Sequence, residues 1–419
     1  MQKPQTKKED TVEGIDGISV YDPYRWLEDG KSKEVVDWTE KQNKYTDSFL
    51  KNKNQEVFSR ALSKDFKIHN FFTPTYVNGR YFYSEQYPDN DHKTYYIKNE
   101  LDGKSTVLLD LNIREDSREI SLDYWSIGNT GKHVAYGLSK GGNEMATMYI
   151  IDVNTKEHTL EYIPNCRYAS IAWLPDDSGF FYTRHPQVGS VPENEEHLHR
   201  KVYLHVIGEN PTNDELIFGD NRPIEDMISL SLSPDGVYLA IEVSQTWTEN
   251  EVYIYDVKKK STRLLVGGVE AEFFPNILCD KIILHTNYKA NNYRIISASL
   301  DNMFIPIDEW EEFVPERDYS LMGVAVTRDK ILLNYNVNVS SEIVISDHSG
   351  KKIGNIPILE HSSVTKISSR ITEKEFFYAV ASFTFPRIMY RYNPKKENYE
   401  IYKALDNPLN PDDYVIEQK

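Results

Sequence analysis

The stretch that decides the fold is G-V-Y-L-A-I, residues 236–241, which is followed by V-Y-I-Y-D-V at 252–257. Both are short runs of β-branched and aromatic residues, and a turn residue stands before the first, which is typical of two strands joined in a hairpin. The pair recurs along the chain. Its first member begins at seven places, roughly 44 to 57 residues apart: 79–83, 131–136, 179–183, 236–241, 280–285, 329–334 and 374–379.

A second run of the same kind follows each of these seven segments, and several units add a weaker third run, such as R-L-L-V at 263–266. One small antiparallel sheet cannot bury both of its faces, whereas sheets stacked around an axis cover one another. A two-sheet sandwich needs only about seven strands in all, and this region offers many more. The pattern therefore predicts a mainly β chain that forms a seven-bladed β-propeller.

The first 66 residues have a different pattern. In Y-D-P-Y-R-W-L-E-D (21–29), Asp22 is a candidate cap for a short helix with Pro23 at its first position. A longer amphipathic helix is predicted over 32–50, because Val35, Trp38, Tyr45 and Phe49 recur at helical spacing. We therefore expect a short N-terminal helical segment at 1–66, the propeller at 67–405 and the start of a linker at 406–419.

Composition narrows the classes of partner. The net charge of −17 and the pI near 5.2 argue against nucleic acid. There is no uninterrupted apolar run of about 18 residues, so we expect no membrane partner. Cys166 and Cys279 are the only cysteines and lie far apart, which indicates a reducing compartment and a cytoplasmic location.

Two local patterns resemble reactive sites. G-L-S-K-G (137–141) matches a nucleophile elbow, but it stands between two strands, whereas an elbow joins a strand to a helix; a hairpin loop is the better interpretation. His197, His199 and His205 would share one face of an extended strand, yet a fourth ligand is not evident, so surface or strand-end histidines are favoured over a metal site. No phosphate-binding or dinucleotide motif occurs, and we expect no cofactor.

Longer segments resemble a known family. D-P-Y-R-W-L-E-D (22–29), L-H-R-K-V-Y-L-H-V-I-G (198–208), T-N-Y-K-A-N-N-Y-R-I (286–295) and S-F-T-F-P-R-I-M-Y-R-Y (382–392) resemble, in order, prolyl oligopeptidase-type serine peptidases. The resemblance covers essentially the whole chain. It implies that the helical segment packs with a C-terminal α/β-hydrolase domain that carries the catalytic Ser, Asp and His. It also implies that the propeller covers the active site and admits only short peptides.

The resemblance also implies roles for individual residues. Tyr168 matches an aromatic near the substrate, although a packed aromatic at the start of a strand remains an alternative. The matching position for a substrate-anchoring arginine falls at or beside Val243. The sequence stops where the first hydrolase strand would begin, so no catalytic residue is assigned. Domain docking is expected for Tyr21, Asp22, Pro23, Tyr24, Arg25, Trp26, Leu27 and Trp38.

Three functional hypotheses follow. The first is the propeller portion of a prolyl oligopeptidase-like endopeptidase, inactive alone, with a separate hydrolase-domain chain as one candidate partner. The second is a stand-alone propeller that binds proteins or peptides as a scaffold, and the third is a relic without function. A free-standing scaffold has no need of docking helices, so the aromatic residues retained in 1–66 favour the first hypothesis.

Overall fold

The structure is a computed structural model that describes residues 2–15, 17–51, 53–405, 410 and 413–418. Contacts within the chain divide it into two compact units, Met1–Ile68 and His69–Lys419. Much of the expected linker at 406–419 lies outside the described residues. The two units are described separately below.

The N-terminal unit contains a hairpin of β1 (Val12–Ile15) and β2 (Ile18–Tyr21), a 3₁₀ turn and two helices, α1 (Lys33–Leu50) and α2 (Lys53–Phe66). Ser32 caps α1, because its hydroxyl accepts a hydrogen bond from the backbone N–H of Val35 at 3.3 Å. The short helix predicted from Pro23 instead begins at Arg25. Asp22 forms the turn before it by accepting the N–H of Tyr24 at 3.0 Å.

The second unit consists of seven antiparallel sheets, numbered here as blades 1 to 7 in chain order. Their strands are, for blade 1, β3 (Asn70–Phe71), β4 (Thr75–Val77), β5 (Arg80–Gln86), β6 (Thr94–Lys98) and β7 (Thr106–Asp110); for blade 2, β8 (Ile120–Ile127), β9 (His133–Lys140), β10 (Thr147–Asp152) and β11 (His158–Ile163); for blade 3, β12 (Ile171–Trp173), β13 (Gly179–Arg184), β14 (Lys201–Val206) and β15 (Glu215–Phe218); for blade 4, β16 (Met227–Leu232), β17 (Tyr238–Ser244), β18 (Asn250–Asp256) and β19 (Ser261–Val266); for blade 5, β20 (Phe273–Ile277), β21 (Lys281–Thr286), β22 (Arg294–Ser299) and β23 (Glu311–Val314); for blade 6, β24 (Ser320–Val326), β25 (Ile331–Val337), β26 (Ser340–Ser346) and β27 (Lys352–Ile356); and for blade 7, β28 (Ser363–Ser368), β29 (Phe376–Ala381), β30 (Ile388–Asn393) and β31 (Asn398–Ala404).

Within each blade the strands pair in chain order from the innermost to the outermost, except that β3 and β4 both pair with β5. The second strands are largely buried on both faces between neighbouring blades, as in β9 and β13. This burial explains why these strands read as nearly continuous apolar runs. The observed sheets confirm the predicted seven-bladed propeller preceded in sequence by a helical segment.

Apolar side chains join each blade to the next. Buried clusters span blades 1 and 2, and then every following pair as far as blades 6 and 7. Blade 7 returns to blade 1 through the rings of Tyr81 and Phe377, whose centroids lie 6.1 Å apart, and through the hydroxyls of Thr75 and Ser368 at 3.0 Å. Each sheet comes from one continuous segment, so among the described residues contacts that involve side chains, and not strand pairing, close the ring.

The two faces of the ring are distinguished by their loops. The connections between blades, and those between the second and third strands of a blade, lie at one face. The propeller chain enters at His69 and leaves after Ala404 on this face, because β3 pairs with the end of β5 and the end of β31 pairs with the start of β30. We call it the terminal face, and we call the opposite side the far face.

Candidate functional site

The innermost strands surround the axis of the ring. At the far face they enclose a cavity of about 330 Å³, whose lining includes Trp173, Leu230 and Arg370. The indole N–H of Trp173 donates to the hydroxyl of Ser126 at 3.1 Å, which fixes one wall. Its lining combines apolar side chains with several polar groups, an arrangement that can hold and orient a ligand.

The loop that carries Tyr168 connects blade 2 to blade 3 on the terminal face. Three hydrogen bonds hold it to three blades. The N–H of Cys166 donates to Ala146 O at 2.8 Å, the N–H of His185 donates to Asn165 O at 2.8 Å, and the N–H of Leu230 donates to the hydroxyl of Ser170 at 2.9 Å. The loop is therefore a rigid support for the side chain of Tyr168.

The side chain of Tyr168 is 52% exposed, and its backbone has a φ of +47°, an unfavourable conformation for a bulky residue. The guanidinium of Arg167 lies 5.1 Å from its ring centre and donates to Glu144 at 2.7 Å. Hydrogen bonding to Glu144 raises the pKa of Tyr168. The ring of Tyr168 is thus exposed on a rigid loop and is not packed in the core.

The position that matches the arginine of the family holds a buried residue. Val243 is fully buried in β17, opposite Ile228, within the apolar cluster between blades 3 and 4. Its side chain supplies no charge at the terminal face.

The aromatic motif of the N-terminal unit packs partly on itself. Trp26 and Trp38 meet edge to face at 6.3 Å, and Trp38 donates to the hydroxyl of Thr6 at 3.1 Å. Arg25 pairs with Glu28 at 2.6 Å and also contacts Glu13. The remaining expected docking residues divide by exposure: Tyr21 and Tyr24 are exposed, and Asp22, Pro23 and Leu27 are partly buried.

A protein-family model described as "Prolyl oligopeptidase, N-terminal beta-propeller domain" matches residues 4–405. The chain belongs to this family. Its curated relatives include the prolyl endopeptidase of Elizabethkingia miricola, 28% identical over 426 residues, which span 100% of this chain and 59% of the relative. Prolyl oligopeptidase A of Galerina marginata is 26% identical over 456 residues, spanning 96% of this chain and 59% of that protein. The chain thus spans about three fifths of the length of these curated relatives.

Solved structures of prolyl oligopeptidases have the same fold. One from a study of two prolyl endopeptidases superposes with a TM-score of 0.92 at 28% identity, over 100% of this chain and 62% of its own. Prolyl oligopeptidase B of Galerina marginata, solved with a 35-residue substrate bound, gives a TM-score of 0.86 at 21% identity, which supports the fold alone.

The elbow-like motif of this prolyl oligopeptidase propeller lies within a hairpin. Ser139 is buried in β9 and donates to Asp123 at 3.0 Å, and β9 turns directly into β10. A Cβ placed on Gly137 would lie 2.3 Å from the ring of Tyr124, so packing explains that glycine. The predicted hairpin is present, but the prediction that this motif forms its loop was wrong, because residues 137–140 belong to strand β9 and only Gly141 lies in the loop.

The three histidines do not converge. His197 and His199 lie in the loop before β14, where His199 contacts Glu195 at 2.7 Å, whereas His205 is fully buried in the strand and contacts Asp214 at 2.8 Å. Across the described residues, no group of three His, Cys, Asp or Glu side chains is arranged to hold a metal ion. No helix in the described part of the chain has the length and apolarity to cross a bilayer.

Two features of the prolyl oligopeptidase propeller were not predicted from the sequence. One is the Arg167–Glu144 pair beside Tyr168, and the other is Arg370 in the far-face cavity. The proximity of Arg167 to Tyr168 could have been noticed in the sequence. The placement of Arg370 depends on contacts across the ring and had no local signal.

Proposed function

We propose that these 419 residues are the substrate-admitting part of a prolyl oligopeptidase-type serine endopeptidase. In this proposal the axial channel receives short proline-containing peptides, and the residues described above do not hydrolyse them. The observation that carries the proposal is the position of Tyr168, a presented aromatic on the same face as both ends of the propeller chain.

The catalytic Ser, Asp and His are proposed to come from a hydrolase domain outside these 419 residues. Two terminal-face loops, in blades 4 and 7, each carry an exposed aromatic side chain that such a domain would cover: Trp247 is 89% exposed and Phe383 is 97% exposed. If a hydrolase chain docks there, the fluorescence of Trp247 should shift to the blue, and W247F should abolish that shift.

The N-terminal motif is proposed to dock with the same domain. Tyr21 and Tyr24 are exposed, and so are Phe49, Phe58 and Leu62 of the helices. Among the described residues of α1 and α2 whose side chains are assigned, only Val35 is buried. These helices therefore have an apolar surface that a partner domain would cover.

A cytoplasmic location is also part of the proposal. Cys166 is buried and Cys279 is exposed, and neither forms a disulfide. Burial raises the pKa of the Cys166 thiol to about 12, which keeps it protonated and unreactive. Both observations suit a reducing compartment.

Peptide binding by the purified chain tests the proposal. Calorimetric titration with a proline-containing octapeptide should show binding, and Y168A should weaken it roughly fivefold to tenfold, because a stacked aromatic contact contributes about 1 kcal/mol or more. Tyr162 provides a matched control: it is a similarly exposed tyrosine, at 59%, but lies on the outermost strand of blade 2. Absence of binding, or an equal loss in Y162A, would contradict the proposal.

A further inference from the structure

The cavity at the far face of the ring contains a charged group that the proposed peptide channel leaves unassigned. Arg370 lies in the connection between β28 and β29 of blade 7 and lines this cavity with residues of blades 1 to 4. We propose that Arg370 binds the carboxylate of an extended peptide that lies along the axis. The inference rests on the proposed function, since it requires peptides to enter the channel.

Arg370 reaches across the ring to blade 2. Both of its terminal nitrogens donate to the carbonyl oxygen of Ile127 at 3.0 Å, and Nη2 also donates to Oδ1 of Asn129 at 3.0 Å. Asn129 is itself fixed, because its amide nitrogen donates to the carbonyl of Trp173 at 2.8 Å. The guanidinium is therefore held in one orientation before any ligand arrives.

The positive charge of Arg370 has no paired carboxylate. Within the described part of the chain its hydrogen-bond acceptors are a backbone carbonyl and a side-chain amide, both neutral. Burial has the largest effect on the pKa of Arg370 and lowers it, and the carboxylates of Asp177 and Glu373 oppose this at longer range. Glu373 accepts the N–H of Asn78 at 2.7 Å. The Asp177 carboxylate is already engaged: it accepts the hydroxyl of Thr130 at 2.5 Å and the N–H of Lys132 at 3.2 Å.

The guanidinium also has free hydrogen-bonding capacity. It carries five N–H donors in a planar fork, and the bonds to blade 2 use some of them. Both N–H groups of Nη2 and one of Nη1 are used by blade 2, so the N–H groups that remain, on Nε and Nη1, each donate singly. A hydrogen bond from a guanidinium to a carboxylate is charge-assisted and stronger than one between neutral groups. A carboxylate is thus the ligand that complements the charge of this group.

The walls of the cavity suit the end of a peptide chain. Ile171, Leu230 and Leu232 supply apolar surface from the inner strands of blades 3 and 4, and Ser231 stands between the two leucines as a polar group. A single cation among apolar and neutral polar side chains favours one anionic group at the end of an otherwise uncharged segment. The carboxylate could belong to the peptide C-terminus or to an acidic side chain near it.

The test compares peptides that differ only in this group. One proline-containing octapeptide is titrated into the 419-residue chain as the free acid, as the C-terminal amide, and as an amide with glutamate at its last position. We expect the free acid to bind roughly tenfold more tightly than the amide, from the strength of a charge-assisted hydrogen bond. Tight binding of the glutamate-containing amide would show that the site also accepts acidic side chains, whereas weak binding would restrict it to the C-terminal carboxylate.

In R370Q, the ratio of the affinities for the free acid and the amide should fall to near one. R328Q is the matched control, because Arg328 also donates to a far-face carbonyl, Thr372 O, at 2.8 Å, but lines a different cavity; it should keep the tenfold ratio. If R370Q does not fold, the unmodified chain is titrated in acetate in place of chloride at equal ionic strength, so that acetate competes for Arg370. Acetate should then weaken binding of the free-acid peptide and leave binding of the amide unchanged.

The outcomes separate the two proposals. Binding of acid and amide with equal affinity overturns the carboxylate site and leaves peptide binding by the channel intact. A tenfold ratio that survives in R370Q, or free-acid binding that is insensitive to acetate, also overturns the role of Arg370. Failure of all three peptides to bind contradicts the proposed function itself.

Discussion

Replacement of His185 should change how the stability of the propeller depends on pH. His185 follows β13, is 3% exposed, and has a ring nitrogen, Nδ1, that is buried without a hydrogen-bond partner in the described structure. Burial, together with the nearby Arg200, lowers its pKa from 6.5 to about 4. The charged imidazole is therefore disfavoured in the folded state.

The sign of the effect follows from proton binding. Between pH 6.5 and pH 4 the unfolded chain binds a proton at His185 that the folded chain does not, so the free energy of unfolding falls as the pH falls. With these two pKa values, His185 accounts for a loss of about 1.3 kcal/mol between pH 7.5 and pH 5.5, and about 3 kcal/mol once the pH is below both values.

Urea unfolding at pH 7.5 and pH 5.5, followed by tryptophan fluorescence, measures this effect. H185Q should lose about 1.3 kcal/mol less than the unmodified chain over this interval. H361Q, which changes an exposed histidine before blade 7, serves as the control and should lose as much as the unmodified chain. An H185Q variant with the full loss would refute the assignment of this pH dependence to His185.

The remaining predictions concern packing and are also measured by urea unfolding. Phe377 is fully buried at the junction of blades 7 and 1, so F377A should lower the free energy of unfolding by about 3–5 kcal/mol. F383A, at an exposed site in the same blade, should change it by less than about 0.5 kcal/mol. Equal effects would contradict closure of the ring by this contact. E375Q should cost about 3 kcal/mol, because it breaks the pair with Arg391 at 2.6 Å in which both side chains are nearly buried; a neutral result would show that the pair adds nothing. G137A should cost about 1–3 kcal/mol, since its Cβ would overlap an aromatic ring, and an unchanged midpoint would show that the site has room.

The strands that pack between neighbouring blades are the ones most readily predicted from the sequence. In β9 and β13 nearly every side chain is buried, so these segments read as apolar runs at a regular interval. The innermost strands were not singled out. β4 and β12 have only three residues each, and channel-lining positions need not be apolar, so their local pattern is weak.

The functional residues were less accessible to sequence reasoning for a physical reason. Tyr168 was located by resemblance to a family, and the exposure of its ring became evident only in the folded loop. Arg370 stands in the polar stretch S-S-R-I-T, which is typical of an ordinary turn. Its partner Ile127 lies 243 residues earlier in the chain, so only closure of the ring brings the two together.

Peptide turnover by the purified chain tests most directly the claim that these residues admit substrate without cleaving it. A fluorogenic Gly-Pro substrate is incubated with the 419-residue protein, and a fluorophosphonate probe is applied to the same preparation to label any reactive serine. If the claim holds, there is no turnover and no labelling of this chain in a sample that still binds the proline-containing octapeptide. Turnover accompanied by a labelled serine among these 419 residues would contradict it.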